Sequence, residues 1–332
     1  MLSIIIVNYR SVQLIQDCLA SCIQHNPNLD VEFIVVNNDP AELFDFKSEH
    51  KLPVSSIQMG YNSGFARANN AGIRAAKGNI ILLLNPDTLA VDDSISKCYE
   101  SLMRSEYGAA GVQLNDASGE PQISGNFFIK KGLNHLLPIP YLGGFIRWLG
   151  YSTKSKIPNV KVSSATEEVD WISGAFLMVK KEVIDKAGLL DEDFFLYAEE
   201  VEWCSRLRKH ARLCIFGNLK IIHLEGGVIN REQKIEEKGY YNLYDKKGLQ
   251  LMVSNHLRVR KQYGVFWFFF LLVNYSAGVL IFFICSTIHQ LFQLRTPFKE
   301  WVKVQAFLKN VLVLWKLSPL IARNKPHFYK MF

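Results

Sequence analysis

The chain lacks most of the short signatures that assign a function at sight. Its six cysteines, Cys18, Cys22, Cys98, Cys204, Cys214 and Cys285, form no CxxC pair and no zinc-type spacing with histidine. That pattern excludes a zinc ribbon or dithiol redox centre and leaves core thiols in a reducing, cytoplasmic setting. The absence of GxGxxG argues against a nicotinamide dehydrogenase. There is no internal repeat and no low-complexity tract. No basic stretch precedes an apolar segment at the N-terminus, so no secretory signal is expected. Acidic residues almost vanish from Lys246 onward, where thirteen Lys or Arg face Glu300 alone, a net of +12 that leaves −5 for the preceding part. The basic residues interleave with long apolar stretches and not with a polar groove-facing helix, which argues against nucleic acid as a partner.

What is present begins with size: 332 residues, 49% hydrophobic, give room for about two domains with real cores. The organising stretch is Gly60 to Thr88, GYNSGFARANNAGIRAAKGNIILLLNPDT. Gly64 permits a tight turn, and Phe65, Ala68, Ile73 and Ala76 follow at helical spacing. Asn79 to Leu84 is a continuous apolar run, the pattern of a strand covered on both faces. Pro86 cannot extend it, so Asp87 is presented at its C-terminal end.

Leu2–Asn8 and Val31–Val36 read as further buried strands, each ending in polar residues: Asn8 and Tyr9, then Asn37, Asn38 and Asp39. A helix is predicted over Val12–His25, with Cys18 and Cys22 on its apolar face. Polar strand ends on one sheet edge mark the ligand-binding edge of a doubly wound fold. Beyond a helix at Asp92–Arg104, the chain reads as irregular to about Thr166, with turns at Asp116–Gly119 and Pro138–Gly144. Val169–Val179 reads as a strand pair or a long strand interrupted by Gly174. Phe194–His210 carries acids early and bases late, as a helix dipole favours, and Leu213–Leu224 is a strand with His223 near its end.

The last third differs in kind. Gly264–Ile288 holds 25 residues without a charge, where a transmembrane helix needs about 20. Basic residues flank both ends, and the Asn274, Tyr275, Ser276, Ala277, Gly278 interruption predicts a re-entrant hairpin with both flanks on one side. Trp301–Leu317 is a second apolar helix whose lysines suit the headgroup region. A buried helical subdomain or dimer contact is the alternative.

Taken singly, the candidate chemical residues are ambiguous. Asp87 with Asn85 suits a divalent metal holding a diphosphate, yet Asn-Pro-Asp is also an ordinary turn. His223 suits a metal ligand, or a hydrogen-bonded strand end. Glu200 suits a general base, or a solvated first turn in which Glu202 pairs with Arg206.

Their order carries more. The succession IIIVNYRS, FIVVNND, GYNSGFARANNAGIRAAKGNIILLLNPDT, DWISGAFLMVKKEVIDKAGLLDEDFFLYAEEVEWCSRLRKH and IIHLEGG, across residues 1–230, resembles the family 2 glycosyltransferases, in particular the bacterial rhamnosyltransferase-like branch. The resemblance implies an α/β GT-A fold, a Rossmann-like mixed sheet flanked by helices, here followed by a C-terminal helical membrane-associated segment. It implies a nucleotide-sugar donor, Mn²⁺ or Mg²⁺ as cofactor, and inversion at the anomeric carbon. Residues 1–110 would form the nucleotide-sugar-binding half, 111–245 the acceptor-binding and catalytic half, and 246–332 the membrane-association region.

By the same resemblance, Asn85 and Asp87 occupy the outer positions of a DxD-type metal motif and His223 completes the metal site. Glu200 is the catalytic base with Glu199 as neighbour. Asn8, Tyr9, Asn37, Asn38, Asn62, Gly64, Phe65, Arg67 and Asn69 line the donor side, and Trp171 and Gly174 the sugar or acceptor pocket. Three positions depart from the common pattern: Asn37 and Asn85 stand where relatives carry Asp, and Glu200 replaces the usual Asp. The implied reaction moves L-rhamnose from dTDP-rhamnose to a lipid-linked saccharide at the cytoplasmic face of a bacterial inner membrane, for surface polysaccharide. A different nucleotide sugar, or a catalytically silent GT-A-like assembly subunit, is the alternative. Homo-oligomer formation is left open.

Overall fold

The computed structural model describes residues 1–41, 54–128, 136–137, 139–152, 160, 162–224 and 243–332. The chain divides into two compact units. The first comprises Met1–Phe128, Asn159–Phe195 and Glu199–Glu236; the second comprises Ile129–Pro158, Leu196–Ala198 and Glu237–Phe332.

The first unit is built on a nine-stranded mixed sheet. Its strands are β1 (Leu2–Asn8), β2 (Val31–Asn37), β3 (Val54–Gln58), β4 (Ile80–Leu84), β5 (Thr88–Leu89), β6 (Tyr107–Asn115), β8 (Thr166–Val169), β10 (Phe176–Lys180) and β11 (Arg212–His223). The order is β3-β2-β1-β4-β10-β6-β11-β5, with β8 also beside β11. β1 runs parallel to β2 and β4, and β6 parallel to β11, while β10 is antiparallel to both β4 and β6. The two antiparallel steps restore direction, so β1, β2, β4, β6 and β11 all end on the same edge, where β10 begins. A short ribbon of β7 (Gly125–Asn126) and β9 (Trp171–Ile172) pairs separately.

Alternation along the strands divides the core. Ile4, Ile6, Leu82 and Leu84 face Cys18 and Leu19 of α1 (Val12–His25) and Ile95 and Leu102 of α3 (Ser94–Arg104). Ile5, Ile81 and Leu83 share the opposite core with Ala68 and Ile73 of α2 (Gly64–Ala75) and Trp203 and Leu207 of α6 (Glu199–Leu207). All five residues of β4 are buried, which is why its sequence is apolar without alternation.

Two expectations about this unit are corrected. The segment read as irregular contains β6, an interior strand, disguised by its Gly-Ala-Ala-Gly composition. Small residues are required there: a Cβ on Gly108 would lie 2.3 Å from that of Ala211, and one on Gly111 2.6 Å from Ile172 Cγ2. Val169–Val179 holds a pair of strands, β9 and β10, interrupted around Gly174 as expected, whereas the helix after Phe194 begins only at Glu199. α5 (Lys181–Ala187) follows β10 directly.

The second unit holds α4 (Leu142–Ser152), α7 (Lys246–Tyr263), α8 (Val265–Phe292) and α9 (Phe298–Ala322). Asp245 caps α7 by accepting from Gly248 N at 2.6 Å. The hairpin expected within Gly264–Ile288 is overturned, because α8 runs unbroken for 28 residues. Asn274 Nδ2 donates to Phe270 O and Ser276 Oγ to Leu272 O, so the polar residues bond back along the helix instead of breaking it. Gly278 is a packing site, since a Cβ there would meet Ile139 Cγ2 at 2.5 Å. α8 buries Phe268, Leu271, Leu272, Tyr275 and Phe282 on one face and exposes Phe266, Val273, Leu280 and Leu291 on another. It therefore has no polar side. α8 and α9 are both long and apolar enough to cross a membrane.

Candidate functional site at the sheet edge

Asp87 and His223 come together because β5 pairs antiparallel with the end of β11, placing Thr88 opposite His223. Leu224 N donates to Asp87 O at 2.9 Å, which locks the two turns. Asp87 Oδ1 then lies 3.5 Å from His223 Nε2, both side chains being largely buried. On its other ring nitrogen, His223 Nδ1 is 2.8 Å from Gln122 Oε1, while Gln122 Nε2 donates to the His223 carbonyl at 3.0 Å. Among the described residues no cluster of three His, Cys, Asp or Glu forms a closed metal cage. A carboxylate oxygen and an imidazole nitrogen facing each other nonetheless fit a divalent cation that takes its remaining ligands from a diphosphate and water.

Asn85 is fixed through its backbone, its N–H donating to Ala175 O at 3.0 Å. Ala175 follows Gly174, and a Cβ placed on Gly174 would sit 3.7 Å from Glu200 Cβ and 3.4 Å from Phe65 Cζ. Glu200, Gly174 and Phe65 thus meet at one place. Glu200 lies in the first turn of α6, and Glu199 beside it is buried. Glu202 accepts both forks of Arg206 at 2.9 Å, the pairing anticipated from spacing.

The expected donor-side asparagines are largely engaged with the scaffold. Asn8 Nδ2 donates to Asn37 Oδ1, and Asn37 Nδ2 to Gln58 Oε1, tying the ends of β1, β2 and β3. Asn8 Oδ1 also accepts from Ser11 N and Oγ. Asn38 Oδ1 accepts from Ser63 N and Oγ while its Nδ2 donates to Gly64 O, which pins the turn into α2. Asn62 Oδ1 receives Gly64 N, and Asn69 Nδ2 returns to Phe65 O. Arg67 Nε donates to Glu192 O. Tyr9 lies at the mouth of this cluster under the Arg10 guanidinium, and Arg10 also reaches Asp39 at 3.4 Å.

Four elements of the edge carry no signal in isolated motifs. Gln122 is one. Phe195 is another: its carbonyl accepts from Phe65 N at 2.8 Å. Glu192 gathers Arg74 and Asn70; burial alone would raise its carboxyl, but those contacts and Arg67 bring it below the usual value. Buried Asp170 accepts Arg208 Nη1 at 2.6 Å and Phe128 N at 2.6 Å, anchoring Trp171 beside it. Each depends on partners over a hundred positions away or on a backbone atom, so spacing alone does not reveal it. The pKa of the buried Cys204 thiol, on the same helix as Glu200, is pushed up to about 12 by burial, so it is no nucleophile.

Over residues 3–137 the chain matches the glycosyl transferase family 2 model. The low-salt glycan biosynthesis hexosyltransferase Agl10 of Haloferax volcanii is 30% identical over 217 residues, 63% of this chain and 62% of that protein. Rhamnosyltransferase WbbL of Escherichia coli K12 is 27% identical over 219 residues, 62% of this chain and 76% of WbbL. The chain therefore spans under two thirds of the length of the first of these relatives. The mannosyltransferase PcManGT of Pyrobaculum calidifontis, solved with GDP-Man and Mn²⁺, shares the fold at TM-score 0.50 and 13% identity, covering 94% of this chain and 86% of that one. The mixed sheet with flanking helices is thus a GT-A fold.

Proposed function

We propose that this chain is an inverting, metal-dependent glycosyltransferase that moves L-rhamnose from dTDP-rhamnose to a lipid-linked saccharide at the cytoplasmic membrane face. The observation that carries the reading is the Asp87 and His223 pair, 3.5 Å apart, on the sheet edge that also holds Asn85 and the Gly174, Glu200 and Phe65 meeting point. Asp87 and His223 would hold Mn²⁺ or Mg²⁺, which when bound offsets the charge of the departing diphosphate. Glu200 takes the proton of the acceptor hydroxyl, whose oxygen attacks the anomeric carbon from the face opposite the nucleotide. Trp171 and Gly174 border the sugar, and the asparagine ladder of Asn8, Asn37 and Asn38 holds the donor side in shape. The rhamnosyl donor is favoured by the likeness to the rhamnosyltransferase WbbL. The lipid acceptor is favoured by α8 and α9, with basic residues near anionic lipid worth about 1 kcal/mol each.

The test is a panel of nucleotide sugars with Mn²⁺, read by thermal stabilisation and by nucleoside diphosphate release. dTDP-rhamnose should stabilise most, by about 2.7 kcal/mol at a hundredfold excess over Kd, and Asp87→Ala should lose the metal-dependent part. Stabilisation by a different sugar reassigns the donor. Stabilisation with no release of diphosphate, even with acceptor lipid, identifies a silent subunit.

A further inference from the structure

We propose that Gln122 is the positioning residue of the edge site: it sets the tautomer of His223 so that the nitrogen facing Asp87 carries a lone pair and not a proton. The inference rests on the metal-dependent reading above and adds a residue to it. Its basis is the pair of contacts made by one amide. Gln122 Nε2 donates to the His223 carbonyl at 3.0 Å, an atom that can only accept. This fixes which end of the amide faces which way. The Oε1 end must then face His223 Nδ1, at 2.8 Å. Because Oε1 also only accepts, Nδ1 is the protonated nitrogen. In the neutral ring Nε2 is consequently bare, and it stands 3.5 Å from Asp87 Oδ1.

Two electron-rich atoms held face to face in a largely buried spot repel unless a cation lies between them. The fold holds them there from three sides. Leu224 N binds Asp87 O, β5 pairs with β11 at Thr88 and His223, and Gln122 grips both the ring and the carbonyl of His223. Gln122 reaches this place because β6 ends in a tight turn. Asp116 Oδ1 accepts from Ser118 N and Glu120 N, Gly119 has φ +87, and Gln122 N returns to Leu114 O at 2.8 Å. β6 and β11 run parallel, with Asn115 opposite Ile222, so the returning strand delivers Gln122 alongside His223. Orientation of a ligating imidazole through its second nitrogen is a general requirement of metal sites, and loss of the orienting group costs about 10- to 100-fold in metal affinity.

The experiment is Mn²⁺ titration calorimetry on the full chain, with UDP, GDP or dTDP saturating, for wild type, Gln122→Leu, Gln122→Glu, His223→Ala and the Gln122→Leu/His223→Ala double variant. Gln122→Leu should weaken Mn²⁺ by about 10- to 100-fold. Gln122→Glu keeps an acceptor for Nδ1–H but loses the donor to the His223 carbonyl, so its Mn²⁺ affinity should fall between those of wild type and Gln122→Leu. The Leu substitution should cost nothing further once His223 is Ala. Long-range ¹H–¹⁵N spectra of ¹⁵N-histidine protein without metal, recorded at a pH high enough to keep the ring neutral, should show His223 as the Nδ1–H tautomer in wild type, a signature that mere structural support would not produce. Equal Mn²⁺ affinity in wild type and Gln122→Leu, an undiminished cost in the His223→Ala background, or an Nε2–H tautomer in wild type would each overturn the proposal while leaving the metal reading intact. Failure of wild type to bind Mn²⁺ with any of the three nucleotides would overturn the metal reading, and the proposal with it. If Gln122→Leu does not fold, the Glu variant and the wild-type spectrum decide.

Discussion

Gly64 and Phe195 are in the tightest backbone apposition of the site edge: a Cβ on Gly64 would lie 2.3 Å from the Phe195 carbonyl oxygen, and Gly64 has φ +77. A side chain there meets both an unfavourable backbone region and a backbone atom that is itself hydrogen-bonded to Phe65. Gly64→Ala is expected to destabilise the protein by about 3 kcal/mol, seen as a lower melting temperature. By contrast, Gly60 has φ +74 with nothing near its missing Cβ, and Gly60→Ala should cost only the backbone strain, about 1–2 kcal/mol.

Glu200 is the test of proton transfer. Glu200→Gln keeps the volume beside Gly174 and Phe65 and removes the basic oxygen. Turnover is expected to fall by about 10²- to 10⁴-fold with donor affinity nearly unchanged. Steady-state kinetics with direct donor binding by calorimetry would show the split, and wild-type turnover in the variant would remove Glu200 from the role.

Much of this architecture is legible in the sequence, and the reasons are physical. β1, β2 and β4 are buried on both faces and read as apolar runs ending in polar residues. The turn at Asp116–Gly119 is written in its Asp and Gly. β6 is not legible, because close packing against Ala211 and Ile172 demanded glycine where a strand normally advertises itself with branched side chains. The asparagines at 8, 37 and 38 are legible as a cluster, but their hydrogen-bond partners are not, and those partners turn them inward to the scaffold. The middle of α8 misleads for a similar reason: Asn274, Ser276 and Gly278 are breakers by propensity, and back-bonding plus the contact with Ile139 overrides them.

His256 gives the second unit a pH dependence. It is fully buried in α7, its Nδ1 2.7 Å from Met252 O and its ring edge-on to Phe268 and Tyr275. Burial lowers its pKa to about 4, with the Met252 contact opposing. Since the unfolded chain takes the proton near pH 6.5 and the folded one only near 4, the contribution is complete above about pH 6.5. It is lost as pH falls towards 4, by about 1.4 kcal/mol per unit at most. Melting temperatures from pH 7.5 to 5 should fall more steeply for wild type than for His256→Phe.

The exposed apolar face of α8 should decide membrane binding. Val273 and Leu280 are 55% and 65% exposed, and a lysine at the centre of a lipid-embedded helix costs about 2.5–3.5 kcal/mol. Val273→Lys/Leu280→Lys is expected to reduce flotation with phosphatidylglycerol vesicles by more than tenfold, whereas Gln305→Lys on α9 should leave it unchanged. Equal flotation of all three proteins would place the contact elsewhere.

Five of the six thiols are sealed inside the protein, and only Cys285, on α8, is partly open to its surroundings. A maleimide reagent applied to the unaltered chain would therefore label a single position. A nitroxide or fluorophore attached there reports depth and polarity along the helix without any engineered cysteine.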